Sequence, residues 1–139
     1  MARTRWDAIV DGSVRMPAND ALGFALEDTP DPQGSISLSW RVPDELCNSA
    51  GNLQGGVLAA FADALLGGAT SAHLSEDTYP ALAEMKISVF RPARRNTTLL
   101  GRGYVVKSGR RLLFAEAEVR DPDGNLIARA SGTEIPTPA

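Results

Sequence analysis

The chain has 139 residues and a formal net charge of −3, with 43% hydrophobic and 22% charged residues. These values are ordinary for a soluble globular protein, so we predict a single domain over residues 1–139. The N-terminus lacks the apolar core of a signal peptide, and no stretch is typical of a membrane span. Cys47 is the only cysteine, which excludes an intrachain disulfide and favours a cytoplasmic location. We expect it to be a small buried hydrophobe.

The charges are unevenly distributed along the chain. Residues 86–129 hold ten of the fourteen Lys and Arg residues and four acidic residues, whereas residues 1–85 hold four basic and twelve acidic residues. The basic half indicates an anionic ligand. Nucleic acid is disfavoured, because the chain is acidic overall and has no recognisable base-reading motif.

The N-terminal third predicts little regular structure before one clear strand. Residues 1–20 show no clear pattern, apart from a short apolar helix face that would end near Met16-Pro17. Gly23–Asp28 is interpreted as a strand with Phe24 and Leu26 inward, and Thr29–Gly34 as a turn. Ser35–Val42 alternates apolar and polar residues, which predicts a half-buried antiparallel strand.

After a loop over Pro43–Asn52, the segment Leu53–His73 predicts one long helix, because it is rich in Ala and Leu. Apolar residues lie nearly all round it, so we expect a buried helix. Asp63 is its only acidic or basic residue, and a buried carboxylate is costly unless it is paired, hydrated or used.

The residues on the same helix face as Asp63 are all small: Gly56, Ala59, Ala60, Gly67 and Thr70. The opposite face carries Leu58, Phe61, Leu65 and Ala72. A stripe of small residues favours either a close helix–helix contact or a groove for a ligand. We favour the groove, because close packing alone does not explain the charge. Both interpretations hold if the groove lies between two copies of the helix.

Four further strands are predicted after the helix: Ala81–Arg91, Thr97–Lys107, Arg111–Arg120 and Leu126–Ile135. The segments 75–80 and 136–139 are interpreted as irregular, and Gly101 and Gly103 as a bulge or a close approach. The strands are joined by short turns, so they pair antiparallel. An antiparallel sheet wrapped round one apolar helix is the hotdog architecture, an α+β fold.

Three segments, in order, resemble the hotdog-fold acyl-CoA thioesterases of the phenylacetate-degradation (PaaI-like) type: Cys47–Asp63, Ile87–Ala93 and Gly109–Asp121. The similarity covers roughly Gly23–Glu134. Asn48, Gly55 and Asp63 match that family's Asn, first helical Gly and acid in type and spacing. The resemblance implies hydrolysis of an acyl-CoA to a carboxylic acid and free coenzyme A, with no cofactor. It also implies a homodimer with a shared active site, and it allows a tetramer of two dimers.

The sequence departs from that family at three positions. Gln54 stands where the family has His, Leu82 where it often has Ser or Thr, and Gly67 where some relatives have Thr. These departures bear on the rate of hydrolysis more than on acyl-CoA binding. A non-catalytic acyl-CoA-binding protein is therefore the alternative, and a module whose groove only packs a dimer is a third.

The residues at the helix start suit acyl transfer. The first N–H groups of a helix lack internal partners, and Gly55 and Gly56 would let a thioester carbonyl approach them closely. Asp63 would activate water or attack directly, and Asn48 would orient water or substrate unless it is only a turn residue. Gly55 and Asp63 are about 12 Å apart along one helix axis. We therefore predict that Gly55 of one subunit faces Asp63 of another.

Basic residues in turns can bind the coenzyme A phosphates, because their long side chains and free N–H groups meet there. The resemblance implies the turn Gly109-Arg110-Arg111 as the preferred phosphate site. Arg91 is a further candidate, with Gln54 and Gly56 close to the substrate at the helix start. The only histidine, His73, is expected to be structural, which argues against the hotdog dehydratases. No metal-ligand cluster is evident.

Overall fold

A computed structural model describes residues 2–27 and 34–139. Its strands form one antiparallel sheet in the order β1-β2-β4-β5-β6-β3. The strands are β1 Ala25–Glu27, β2 Ile36–Arg41, β3 Thr78–Val89, β4 Thr98–Ser108, β5 Leu113–Arg120 and β6 Leu126–Pro138. The helices are α1 Arg5–Val10, α2 Pro17–Leu22 and α3 Gly55–Ser71, with a 3₁₀ turn at Asp44–Leu46. The sheet wraps round α3, which confirms the predicted hotdog fold.

The packing of α3 on the sheet explains the two glycines of β4. Leu58, Phe61 and Leu65 of α3 are fully buried against the sheet. A Cβ at Gly103 would lie 2.3 Å from the Leu65 carbonyl oxygen, and one at Gly101 would lie 2.5 Å from Leu65 Cδ1. The close approach is therefore the correct alternative, and the irregularity of β4 falls later, between Val105 and Lys107.

The alternating strands bury the predicted faces. Inward residues of β2 and β5 are buried in one core cluster with α3: Ile36, Leu38, Trp40, Ala115, Ala117 and Val119. Phe24 contacts the ring of Trp40, with 4.8 Å between centroids, and that of Phe61 at 5.1 Å. This aromatic group ties the N-terminal segment to the main core, so the inward prediction for Phe24 is correct.

Several boundaries differ from the predictions. Pro17 begins a second short helix instead of ending the first, since a proline at the first helical position loses no hydrogen bond. Leu26 is 45% exposed, because β1 is a short edge strand. The predicted turn at 29–34 lies almost wholly outside the described residues, as does the end of the first predicted strand.

The paired strands β3 and β6 are longer than predicted. β3 begins at Thr78, where the sequence suggested an irregular stretch, and its first residues pair with residues 136–138. Pro136 is tolerated there because β5 begins at Leu113, opposite Glu134, so the part of β6 beyond Glu134 has a neighbour on one side only. In the described part of the chain, no helix is long and apolar enough to cross a membrane.

Candidate functional site

Asp63 lies on the face of α3 that the sheet does not cover. Its side chain is exposed, and its small neighbours Ala60, Ala64 and Gly67 are only half-buried. Desolvation by the surrounding protein raises the pKa of Asp63 above its usual value. Thr70 is the exception in the stripe, because it is buried and its Oγ1 donates to the Leu66 carbonyl at 2.9 Å. The helix is thus buried on one side and open on the Asp63 side, contrary to the expectation of burial all round.

The N-terminus of α3 is open as well. Gln54 is the N-cap; it makes no side-chain cap, and its carbonyl accepts from the N–H groups of Val57 and Leu58. The N–H groups of Gly55 and Gly56 have no acceptor inside the helix. A Cβ at either glycine would meet nothing within 4 Å. Packing within this chain does not require these glycines, and the space beside them suits a ligand.

Asn48 shapes the loop that leads into α3. Its Oδ1 accepts from the N–H groups of Ala50 at 3.0 Å and Asn52 at 3.2 Å, and its own N–H donates to the Asn52 carbonyl at 2.8 Å. The side-chain oxygen of Asn48 therefore stabilises the loop, which is the role of a turn residue. Its amide nitrogen is the group that it could offer to a substrate, and the catalytic role stays a prediction.

The spacing between Asp63 and Gly55 is fixed by a continuous helix. α3 runs over 17 residues, so the eight-residue separation corresponds to about 12 Å along its axis. Acyl transfer needs its polarising donor and its base within roughly 3–4 Å of the reacting atoms. The two groups of one chain therefore do not meet at one carbonyl carbon.

The basic candidates fall at opposite ends of the sheet. Gly109, Arg110 and Arg111 form the exposed β4–β5 turn, which is closed by a bond from the Gly109 N–H to the Leu112 carbonyl at 2.9 Å. Arg91 follows β3 beside the β5–β6 turn and helps to lower the pKa of Asp121, after the hydrogen bonds from Asn125 and Asp123. The eight residues of β5 separate these turns by roughly 26 Å. One phosphate cannot contact both.

A cavity of about 410 Å³ opens beside Asp63, between α3 and the N-terminal helices. Its wall is mostly apolar, with Trp6, Leu22 and Phe24 among its residues. The cavity also contains a group that our sequence analysis missed. Glu134 of β6 is 1% exposed and lines it together with Asp63.

Glu134 has the electrostatics of a neutral acid. Among the residues that the structure describes, neither of its carboxyl oxygens has a hydrogen-bond partner. Desolvation, and secondly the charge of Asp63, raise the pKa of Glu134 to about 8. The alternation of β6 contained the signal, because Ala128, Ala130 and Gly132 share the inward face on which Glu134 follows.

The histidine and the cysteine of the sequence, His73 and Cys47, both contact nearby backbone, and Cys47 is less buried than expected. The His73 Nδ1 lies 3.3 Å from the Ala69 carbonyl oxygen, and the Cys47 Sγ lies 3.4 Å from that of Pro43. Each therefore contacts its own local backbone, and Cys47 is half-buried. Within residues 2–27 and 34–139, no group of three His, Cys, Asp or Glu side chains is placed to hold a metal ion.

A family model for the Thioesterase superfamily matches residues 50–128. The chain belongs to this superfamily. The match includes α3 with Gly55 and Asp63, and most of the sheet. The predicted thioester hydrolase of the hotdog class is thereby confirmed. No curated protein matches the sequence.

Solved structures of the same fold agree with this assignment. A phenylacetic acid degradation-related protein from Ralstonia eutropha JMP134 is 26% identical, with a TM-score of 0.85 over 94% of this chain and 98% of the other. The E. coli PaaI protein is 17% identical, with a TM-score of 0.83 over 95% and 92%. A Streptococcus mutans protein bound to acetyl CoA is 21% identical, with a TM-score of 0.72 over 83% and 89%. The predicted PaaI-like character is confirmed.

Proposed function

We propose that the chain hydrolyses acyl-CoA thioesters at active sites that two copies of it share. The observation that carries the proposal is Asp63, a lone carboxylate on the open face of α3, about 12 Å from the helix start that would polarise a carbonyl. Superfamily membership supports the hydrolysis, and the acetyl CoA in the Streptococcus mutans relative supports coenzyme A as the thiol. Such substrates and an unpaired Cys47 both fit the cytoplasm, where we place the protein.

A second copy of the chain is the partner that the open surfaces fit. The stripe of small residues round Asp63 lets another α3 approach closely, and antiparallel helices would place Asp63 of one copy beside Gly55 of the other. β3 is a long edge strand, and it carries exposed apolar side chains: Tyr79, Leu82 and Val89, followed by Phe90. An edge of this length favours pairing with another strand. We propose a homodimer, with a tetramer of two dimers as a further assembly.

The proposed chemistry divides between the two copies. The N–H groups of Gly55 and Gly56 of one copy, with Gln54 beside them, hold the thioester carbonyl and stabilise the negative charge that its oxygen gains. Asp63 of the other copy removes a proton from the attacking water, or attacks the carbonyl carbon itself. Asn48 orients the water or the substrate through its amide N–H groups.

The coenzyme A phosphates would bind at one of the two basic ends. The Gly109-Arg110-Arg111 turn is the proposed site, because its exposed guanidinium groups are suited to bidentate contacts with phosphate. Arg91 lies at the other end of the sheet, too far to contact a phosphate bound at this turn of the same chain. It would reach that phosphate only from the second copy.

The first test replaces the proposed base. Asp63→Asn keeps the size of the side chain and removes its charge, so we expect the fold and dimer to persist. Turnover of an acyl-CoA panel should fall by about 10²- to 10⁴-fold, the range for losing a positioned acid or base. Steady-state release of coenzyme A measures the turnover.

Asp44, a carboxylate in the 3₁₀ turn before α3, provides the control. Asp44→Asn removes an exposed charge that pairs with Arg95 at 3.6 Å, and it should keep most of the turnover. Unchanged turnover in a folded Asp63→Asn dimer would remove Asp63 from the mechanism. Binding without turnover in the wild type would favour the non-catalytic acyl-CoA-binding alternative, and calorimetry with coenzyme A measures that binding.

A further inference from the structure

Glu134 is a buried acid that the proposed mechanism does not use. It lies on the inward face of β6, opposite Leu113 of β5 and Leu82 of β3. Burying a carboxyl group without a hydrogen-bond partner costs free energy, and apolar residues of the same size would fill such a position at lower cost. Among the described residues, no group donates a hydrogen bond to, or accepts one from, either carboxyl oxygen of Glu134. A partner supplied by the cavity would explain why an acid stands there.

The cavity that Glu134 lines is also the cavity of Asp63. The charged or titratable groups that line it are Arg5 of α1, Asp63 of α3, Tyr79 of β3 and Glu134 itself. The Arg5 guanidinium donates to the Glu76 carbonyl and stands 5.8 Å from the centre of the Tyr79 ring. Arg5 thus has contacts of its own at the rim. Tyr79 is the ring partner of Arg5, so the two groups left in this lining are the carboxyl groups of Asp63 and Glu134.

Two carboxyl groups in one cavity favour different protonation states, and such a division often separates an acid from a base. Asp63 is exposed and can ionise, whereas Glu134 keeps its proton at neutral pH, since its pKa is about 8. A protonated carboxyl group has one O–H donor and one carbonyl acceptor. It can therefore hold a water molecule without competing with Asp63 for the proton.

We infer that Glu134 is a positioning residue, whose neutral carboxyl group orients the attacking water for Asp63 in the thioesterase reaction. The inference rests on the proposed function and selects its general-base route. One hydrogen of the water points to Asp63 and the other to the Glu134 carbonyl oxygen, so a lone pair of the water faces the thioester carbon. As the C–O bond forms, Asp63 takes the first proton. The C–S bond then breaks, and that proton passes to the leaving thiolate, giving the carboxylic acid and free coenzyme A.

Two replacements of Glu134 separate positioning from packing. Glu134→Gln keeps both the carbonyl acceptor and a donor, so it should retain most of the turnover. Glu134→Met keeps an unbranched chain of similar length without either group. We expect its kcat for a simple acyl-CoA to fall by about 10- to 100-fold, as for the loss of a buried hydrogen bond, with a smaller change in KM.

The pH profile gives a readout that packing would not change. Glu134 ionises as the pH rises through about 8 and then places a second negative charge beside Asp63. Wild-type kcat/KM should therefore fall above pH 8, after subtraction of uncatalysed hydrolysis. Glu134→Gln should keep its activity there, because an amide does not ionise. Glu84→Gln is the control: Glu84 is an exposed acid on β3 that accepts from Thr133, and its replacement should leave the alkaline decline in place.

The raised pKa of Glu134 also makes the stability of the folded chain depend on pH. The folded chain holds the Glu134 proton up to about pH 8, whereas the unfolded chain releases it near the ordinary value of 4.5. The stability that this proton confers is complete below pH 4.5 and is lost as the pH rises through 8. Glu134→Met and Glu134→Gln should therefore unfold at higher denaturant concentration than the wild type at pH 9, with the smallest difference at pH 4.

The outcomes are distinct. A folded Glu134→Met with wild-type kcat, or an alkaline decline that persists in Glu134→Gln, would overturn the inference and leave the proposed function standing. A Glu134→Met that loses stability together with activity at pH 9 would assign Glu134 to packing, which also overturns it. A wild type that hydrolyses no acyl-CoA in the panel would overturn the proposed function itself. Rescue by Gln, loss with Met and a shifted alkaline limit together support the inference.

Discussion

At the scale of single residues, the arginines of the β4–β5 turn contrast with arginines that form ion pairs with acidic side chains. Arg120 and Arg129 pair with Glu118, and Arg95 pairs with Asp44. Arg110 and Arg111 instead extend from an exposed turn whose geometry is set by the Gly109 backbone. Adjacent guanidinium groups on a fixed turn suit a phosphate, because such contacts need charge and preorganised donors.

We expect the double replacement Arg110→Ala with Arg111→Ala to raise the apparent KM for acyl-CoA by about tenfold, with little change in turnover. Contacts with the phosphates hold the coenzyme A part of the substrate about equally in the ground and transition states. Their loss therefore weakens substrate binding without slowing the chemical step. The effect should shrink as salt rises, since exposed charges are screened. Arg91→Ala is the comparison at the far end of the sheet. A wild-type KM in the double variant, with a raised KM in Arg91→Ala, would move the phosphate site to that end.

The residues of the site were predictable from the sequence to different extents. Asp63 was recognisable because a lone charge among small residues of an apolar helix needs a reason. Glu134 was missed, since an acid near the end of a strand is usually solvent-exposed and the register that turns it inward depends on long-range pairing with β3 and β5. The hydrogen bonds of Asn48 were equally unavailable from spacing alone.

At the scale of elements, the contact of α3 with β4 sets the position of the helix over the sheet. Gly103 and Gly101 both face α3, and they differ in what a methyl group would meet. At Gly103 it would meet the Leu65 carbonyl oxygen at 2.3 Å, and at Gly101 the end of the Leu65 side chain at 2.5 Å. A helix backbone cannot move aside locally, whereas a side-chain end can change its rotamer.

We therefore expect Gly103→Ala to lower the free energy of unfolding by about 3 kcal/mol, at the upper end of the overpacking range. Gly101→Ala, the matched variant on the same face, should cost about 1 kcal/mol. Denaturant unfolding at fixed protein concentration measures both. Equal losses, or a larger loss for Gly101→Ala, would mean that β4 moves away from α3 more readily than the buried contact suggests.

Elements with a strong period were predicted well, and those built by long-range contacts were not. α3 and the alternating strands β2 and β5 follow from the order of their residues. α2 was missed, because Pro17 is as compatible with a helix start as with a helix end. The additional strand pairs between Thr78–Pro80 and residues 136–138 form only when β3 and β6 meet, so no local sequence pattern indicates them.

At the scale of the whole molecule, a single chain does not bring together the helix start that would polarise the carbonyl and the carboxylate of Asp63. The helix start at Gly55 and Asp63 lie eight residues apart on one continuous helix, so a carbonyl held at the helix start is about 12 Å from Asp63 of the same chain. A second copy supplies each missing group to the other, which gives two sites for each dimer. Complementation between two defective chains tests this arrangement directly.

One chain carries Asp63→Asn and the other carries Asn48→Asp. The second replacement keeps an oxygen to accept from Ala50 and Asn52, so the loop should hold its shape. It replaces the amide donors with a second carboxylate oxygen and adds a negative charge. Each homodimer should be nearly inactive. In a mixed dimer, one site combines the intact Asn48 of the first chain with the intact Asp63 of the second, and the other site carries both defects.

Random unfolding and reassembly makes about half of the dimers mixed, so activity should return to roughly a quarter of the wild-type value. Native mass measurement counts the mixed dimers, and coenzyme A release gives their activity. Mixing the folded proteins without unfolding is the control, because it forms new dimers only as fast as the subunits exchange. Mixed dimers that stay inactive would place Asn48 and Asp63 in one site from one chain. That outcome requires a bend in α3 on binding, since its straight form keeps the helix start and Asp63 about 12 Å apart.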